Sequence, residues 1–144
     1  MLVGAAMLAC SVAAFATPPA AHVEHAWIRW LPASLPAAGY AVIENNSDAA
    51  VRLTGASSPD YGMVTLHYSR LAQGDSTMET VEYLDIPAHG SIKLAPGGYH
   101  LMLMHAKHPI KPGDTVKTTL KFANGATLQA DFSVLPANAS GPED

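Results

Sequence analysis

DTVKTTLKFANGATLQADFSV, residues 114–134, is the stretch whose reading decides the fold. Two alternating segments, 114–122 and 126–134, flank Asn124-Gly125. An Asn-Gly pair between alternating runs is the strongest short-range signal for a β-hairpin. The same texture continues outward. Further strand segments are expected at 24–30 (EHAWIRW), 38–45, 50–57, 62–70, 77–84, 90–95 and 98–105. Turn signals separate them at Asn45-Asn46-Ser47-Asp48, Gly74-Asp75, Pro96-Gly97-Gly98 and Lys111-Pro112-Gly113-Asp114. Nothing after residue 20 supports a helix longer than two turns, and no internal repeat is present. Short strands at this spacing predict an all-β fold, an antiparallel sandwich or Greek-key barrel over residues 24–134.

The ends of the chain read differently. Residues 1–16, MLVGAAMLACSVAAFA, are apolar and uncharged, too short for a good transmembrane span, and end in an A-x-A cleavage pattern. They read as a secretory signal whose basic start lies upstream of Met1, followed by a linker over 17–23. A second reading takes Met7-Leu8-Ala9-Cys10 as a lipoprotein signal with Cys10 lipidated. Under either reading the domain is exported. Residues 135–144, LPANASGPED, read as a disordered polar tail, and the glycosylation sequon at Asn138-Ala139-Ser140 carries little weight there.

Composition excludes several function classes. The 144 residues carry a net charge of −4 without a basic block, which argues against nucleic acid or an anionic membrane surface as partner. Cys10 is the only cysteine. Once the signal is removed, the domain can hold no disulfide, thiolate zinc site, Cys nucleophile or blue-copper centre. No Ser/His/Asp arrangement or carboxylate pair forms a recognisable motif, so hydrolase chemistry is unsupported, and the leading expectation is a protein that is not an enzyme. Any soft metal must be bound through the His and Met residues.

Those residues show one informative spacing: His67, ten residues, Met78, twenty-one residues, His100, one residue, Met102. Imidazole with thioether suits copper, and thioethers favour Cu(I). His100 and Met102 are two apart on one strand and share a face, with Met104 extending the row and Leu101 and Leu103 pointing into the core. If 62–70 and 77–84 pair symmetrically about a turn near Gln73-Gly74, His67 and Met78 are expected directly opposite each other, with Cβ atoms about 4.5–5.5 Å apart. Two His/Met pairs would close around one ion if their strands are neighbours. All four ligands are neutral when the imidazoles are deprotonated, so Cu(I) keeps its charge. Without a thiolate the metal is held loosely enough to be passed on.

Taken singly, each of these residues has an ordinary explanation, because a strand Met is usually core filler and a lone His is usually hydrogen-bonded or solvated. Only the full spacing is specific. Met104 and Met63 read as pocket wall and core, and Tyr68 and Tyr99 as strand packing that could also shield the metal. Trp27 and Trp30 fall on opposite faces of one strand, which leaves at least one open to exposure. His89, His105 and His108 read as solvated loop or edge residues.

The spacing, together with Ala26-Trp27-Ile28-Arg29, Ala38-Gly39-Tyr40, SSPDYGMVTLH, PGGYHLMLM and Pro112-Gly113-Asp114-Thr115, resembles the periplasmic copper chaperones of the PCu(A)C type, whose pattern is H-x10-M-x21-H-x-M. The likeness spans residues 24–134. It implies a cupredoxin-like β-sandwich binding one Cu(I) through His67, Met78, His100 and Met102. It further implies delivery to the CuA centre of cytochrome c oxidase subunit II, often alongside a Sco-type chaperone. Two departures stand out. Tyr68 replaces the Glu that often follows the first motif His, and Thr77-Met78-Glu79-Thr80 replaces a Met- and Arg-rich stretch. The tail has no His or Met, so no C-terminal second site is expected.

Two rival readings come from other classes. Cleavage just before His22 would create an N-terminal histidine, whose amino group and imidazole chelate Cu(II), as in copper enzymes or resistance proteins; His25 offers the same. A β-sandwich adhesion or carbohydrate-binding module would carry the Met and His residues incidentally and take up no metal.

Overall fold

The computed structural model describes residues 21–32, 35–72 and 74–142. Ten strands form the domain: β1 (Ala21–Arg29), β2 (Ala37–Asn45), β3 (Val51–Ser57), β4 (Tyr61–Ala72), β5 (Asp75–Thr80), β6 (Leu84–Ile86), β7 (Ser91–Leu94), β8 (Tyr99–Ala106), β9 (Thr115–Phe122) and β10 (Thr127–Leu135). No helix occurs among the described residues, so none is long and apolar enough to cross a membrane. The strands pair in the order β5-β4-β8-β2-β1-β10-β9-β3-β6, antiparallel except for β1 with β10. β2 is shared. Its first half pairs with β8 (Ala38↔Met102) and its second with β7 (Glu44↔Ser91).

The sheet folds over one core, as the all-β reading expects. Ile28, Ile43, Leu53, Leu101, Leu103, Val116, Leu120, Phe132 and Val134 are each at most 1% exposed and come from strands throughout the sheet. Burying such side chains is the main favourable term in folding, about 1.5–3 kcal/mol each. The β9–β10 hairpin forms as its sequence dictates. Lys121 pairs with Thr127, and Gly125 N–H donates to Phe122 O. Gly125 sits at φ 84°, a conformation glycine adopts without a Cβ clash, and the Asn124 side chain accepts from Ala126 N–H.

Three boundaries differ from the sequence reading. The segment 77–84, read as one strand, is two, because β5 pairs with β4 whereas β6 crosses to pair with β3. Ala21–Val23, read as linker, belong to β1 and are held by β2 through Ala21↔Asn45 and Val23↔Ile43. The described part of the segment read as a disordered tail turns back instead, with Ala139 N–H donating to Pro136 O and Arg29 Nη2 donating to Ala139 O. Parallel pairing with β1 delivers the end of β10 beside Arg29, which is why the tail finds a partner there. The signal segment with Cys10 lies outside the described residues.

Candidate metal centre

β4 runs between β5 and β8, so the two strand segments that carry the His/Met pairs are neighbours in space. His67 pairs directly with His100 across β4 and β8, and Thr65 with Met102. The two imidazoles lie side by side, with ring centroids 5.9 Å apart and planes inclined by 26°. One step further along the same ladder, Met63 pairs with Met104. The strand repeat puts all six side chains on one face. Leu66, Leu101 and Leu103 point the other way into the core, as the alternation requires.

The expected opposition of His67 and Met78 is corrected by the register. His67 faces Thr80, and Met78 faces Ser69. Pairing centred between Gln73 and Gly74 necessarily matches residues whose numbers sum to 147, which places Met78 two residues from the position opposite His67. The parity is preserved, so Met78 still shares the face of His67 as a diagonal neighbour, with Cα atoms about 7–8 Å apart, within reach of a long side chain. Met78 is half exposed, whereas His100 is buried and Met102 intermediate. The four residues thus lie on three adjacent strands with His67 in the middle.

The imidazole nitrogens are the most telling feature. His100 Nδ1–H donates to Gly98 O at 3.2 Å, which leaves Nε2 as the lone-pair nitrogen. His67 Nε2 is 2.7 Å from Thr65 Oγ1. His67 Nδ1 is buried and has no hydrogen-bond partner among the described residues. An unpartnered buried nitrogen costs about 1–3 kcal/mol and calls for a reason. With Nε2–H donating to Thr65, Nδ1 presents a bare lone pair, which a cation would satisfy. Burial and the neighbouring His100 both lower the His67 pKa, in that order of weight. The ring is therefore held neutral, the form that binds metal.

The surroundings continue the row across the sheet. Tyr40 on β2 lies beside His100, with centroids 6.3 Å apart, and Trp27 packs on Tyr40 at 4.7 Å. The Arg29 guanidinium sits 5.5 Å from the Trp27 ring centre and 5.6 Å from that of Tyr40. Burial raises the Tyr40 pKa, so its hydroxyl stays protonated and adds no charge. Sequence reasoning missed Thr65, Gly98 and Tyr40. Thr65 was findable, since it stands two residues before His67 and so on its face. Tyr40 was not, because only the long-range β2–β8 register brings it in.

The remaining sequence candidates separate from this centre. Tyr68 and Tyr99 pair on the opposite face, with rings 4.7 Å apart. Neither Trp is left open: Trp27 is buried, and Trp30, just past β1, donates its Nε1–H to Ile110 O. His89 and His108 are exposed beside Asp48 and Asp60, and His105 is exposed at the end of β8. His25 is exposed at φ 50° in the β1 bulge. His22 lies inside β1, its two ring nitrogens engaged by Glu24, Glu44 and Asn46.

Comparisons with known proteins agree with this architecture. The family model described as LpqE-like matches residues 21–134. Lxx21020 of Leifsonia xyli subsp. xyli, a protein named as a lipoprotein, is 31% identical over 83% of this chain and 75% of its own. Among solved structures, the CuI form of DR1885 from Deinococcus radiodurans is 35% identical, covering 80% of this chain and 77% of that one with a TM-score of 0.63. The copper-bound PCuAC domain from PmoF2 has a TM-score of 0.68 over 82% of this chain and 94% of that one; at 24% identity the likeness is one of fold.

Proposed function

This chain belongs to the LpqE-like family, and we infer its function as a member of that family. We propose that it is a non-enzymatic copper chaperone that binds one Cu(I) through His67, Met78, His100 and Met102. The observation that carries this reading is the unpartnered, buried Nδ1 of His67, set beside His100 on a face that also bears both methionines. Two neutral imidazoles and two thioethers are a soft, uncharged donor set, matched to Cu(I) and poorly matched to hard cations. The likeness to the CuI form of DR1885 supports the same oxidation state.

How these residues would work follows from their placement. Gly98 holds the His100 ring in one tautomer, and Thr65 orients His67. These ligands stand on regular strands and keep their positions. Met78 is half exposed on a sheet edge, since β5 ends the strand order. It is the ligand that an acceptor can reach first. A metal held by neutral donors with one flexible thioether on the rim can be released without breaking a thiolate bond.

The acceptor in this reading is the CuA centre of cytochrome c oxidase subunit II, directly or through a Sco-type chaperone. The protein works outside the cytoplasm, and the lipoprotein names of family and relative support lipidation at Cys10. The test is anaerobic Cu(I) titration of the parent and of Met78→Leu/Met102→Leu, which keeps apolar volume while removing both sulfurs. One equivalent bound by the parent and none by the variant is expected. Unchanged Cu(I) affinity in a folded variant would sink the assignment.

A further inference from the structure

We propose that His22, Glu24 and Glu44 form a second metal site, of opposite chemical character, for a divalent first-row cation such as Cu2+ or Zn2+. His22 and Glu44 are direct partners across β1 and β2, and Glu24 stands two residues on from His22, on the same face. His22 Nε2 lies 3.1 Å from Glu24 Oε1 and 3.1 Å from Glu44 Oε2. The three donor atoms all fall within 4.8 Å of one another.

That spacing suits a metal. Ligands about 2.0–2.2 Å from a zinc-like ion at angles of roughly 90–110° stand about 2.9–3.5 Å apart. The imidazole and each carboxylate already meet at such a distance, so an ion entering between them needs little rearrangement. Neither carboxylate is paired with a Lys or Arg among the described residues. The two carboxylates therefore offer two negative charges that a dication neutralises. Asn46 Nδ2 donates to His22 Nδ1 at 2.8 Å and steadies the ring. When a metal displaces the proton from Nε2, Nδ1 carries the proton of the neutral imidazole, and a half-turn of the Asn46 amide presents its Oδ1 as acceptor.

The donor set selects the class of ion. Carboxylate oxygens and one imidazole fit Cu2+, Zn2+ and their neighbours, with Cu2+ strongest in that series. With no sulfur the site does not suit Cu(I), and three donors including an imidazole do not make a calcium site, which wants six to eight oxygens. It is also well separated from the first centre. Met102 pairs with Ala38 at one end of β2, and Glu44 lies six residues further along that strand. At about 3.3 Å per residue that is about 20 Å, and Tyr40, the β2 residue beside His100, still stands four residues, about 13 Å, from Glu44. The two centres therefore bind independently, and this site stands whether or not the Cu(I) reading does.

Zn2+ is the probe, because it is redox-silent and is not drawn to thioethers. Isothermal titration of the full chain is expected to show one equivalent bound, with the same affinity in Met78→Leu/Met102→Leu. Affinity should fall at least 100-fold in His22→Gln/Glu44→Gln, whose half-exposed positions leave the fold intact by circular dichroism. Cu(I) uptake by that variant should match the parent. Substoichiometric Zn2+ should shift the His22 imidazole resonances before those of other histidines. A parent that takes up no Zn2+, or a His22→Gln/Glu44→Gln variant that binds it as tightly as the parent, would overturn the proposal.

Discussion

The two ends of β2 lie beside histidines that the fold sets in opposite surroundings: His100 on β8, with His67 beyond it on β4, and His22 on β1. At the Ala38 end, His67 and His100 stand ring to ring, among thioethers, with one buried nitrogen left unpartnered. At the Glu44 end, His22 is half exposed and already held by two carboxylates and an amide. An imidazole is a ligand of borderline softness, so its neighbours decide which ion it serves. Burial with sulfur favours a monovalent soft ion, since no charge is needed to balance it. Exposure with carboxylates favours a dication, whose charge those groups offset.

The largest expected effect breaks the symmetry of this comparison outright. Met78→Leu/Met102→Leu should lose Cu(I) altogether while holding Zn2+ at His22 unchanged, measured by paired titrations. If both metals are lost together, the ends of β2 are coupled and the contrast fails. A smaller effect is expected from Thr65→Val, which removes the only hydrogen-bond partner of the His67 ring among the described residues. Loss of such an orienting group typically costs 10–100-fold in metal affinity, so Cu(I) should bind about tenfold more weakly, with His22 unaffected.

Acid sharpens the comparison further. The folded His67 pKa is held below the ordinary imidazole value of about 6.5. Protons therefore compete with Cu(I) there only below that pH, and an apparent midpoint for Cu(I) loss at or above it would contradict the burial argument. The same shift has a stability consequence. The unfolded chain takes up a proton that the folded ring refuses, so metal-free stability should decline as pH falls from about 6.5 towards the folded pKa. The smallest effect expected is on folding without metal. His67→Leu removes the orphaned Nδ1, so the metal-free variant should be no less stable than the parent, and more stable by about 1 kcal/mol in urea unfolding. A loss of several kcal/mol would show that the ring is there for packing.

How much was legible follows from the range of each interaction. The β9–β10 hairpin was readable because alternation and an Asn-Gly turn are local. His100 and Met102 on one face were readable for the same reason, as a two-residue repeat. The His67–Met78 geometry was only half readable. A turn near Gln73-Gly74 puts Met78 on the face of His67 but two positions from opposition, so the face was read correctly and the opposition was not. The split of 77–84 into β5 and β6 was not readable, since both halves have strand character and only their different partners separate them. Nor was the contact of Ala139 with Arg29, which depends on the parallel β1–β10 pairing.

By itself the sequence determined an all-β chain, a domain without thiols beyond Cys10, and a soft donor set at a fixed spacing, because alternation, composition and separation along the chain are properties of the chain alone. Only the tertiary structure decided that β4 would lie between β5 and β8, that His67 would meet His100 with a nitrogen left bare, and that Glu44 would join Glu24 around His22. The β4–β8 pairing joins strands well separated in sequence, and the meeting of Glu44 with His22 rests on the β1–β2 register across the segment that connects them. Such register is set by how whole hydrophobic faces fit over one core, and no short stretch of residues carries that information.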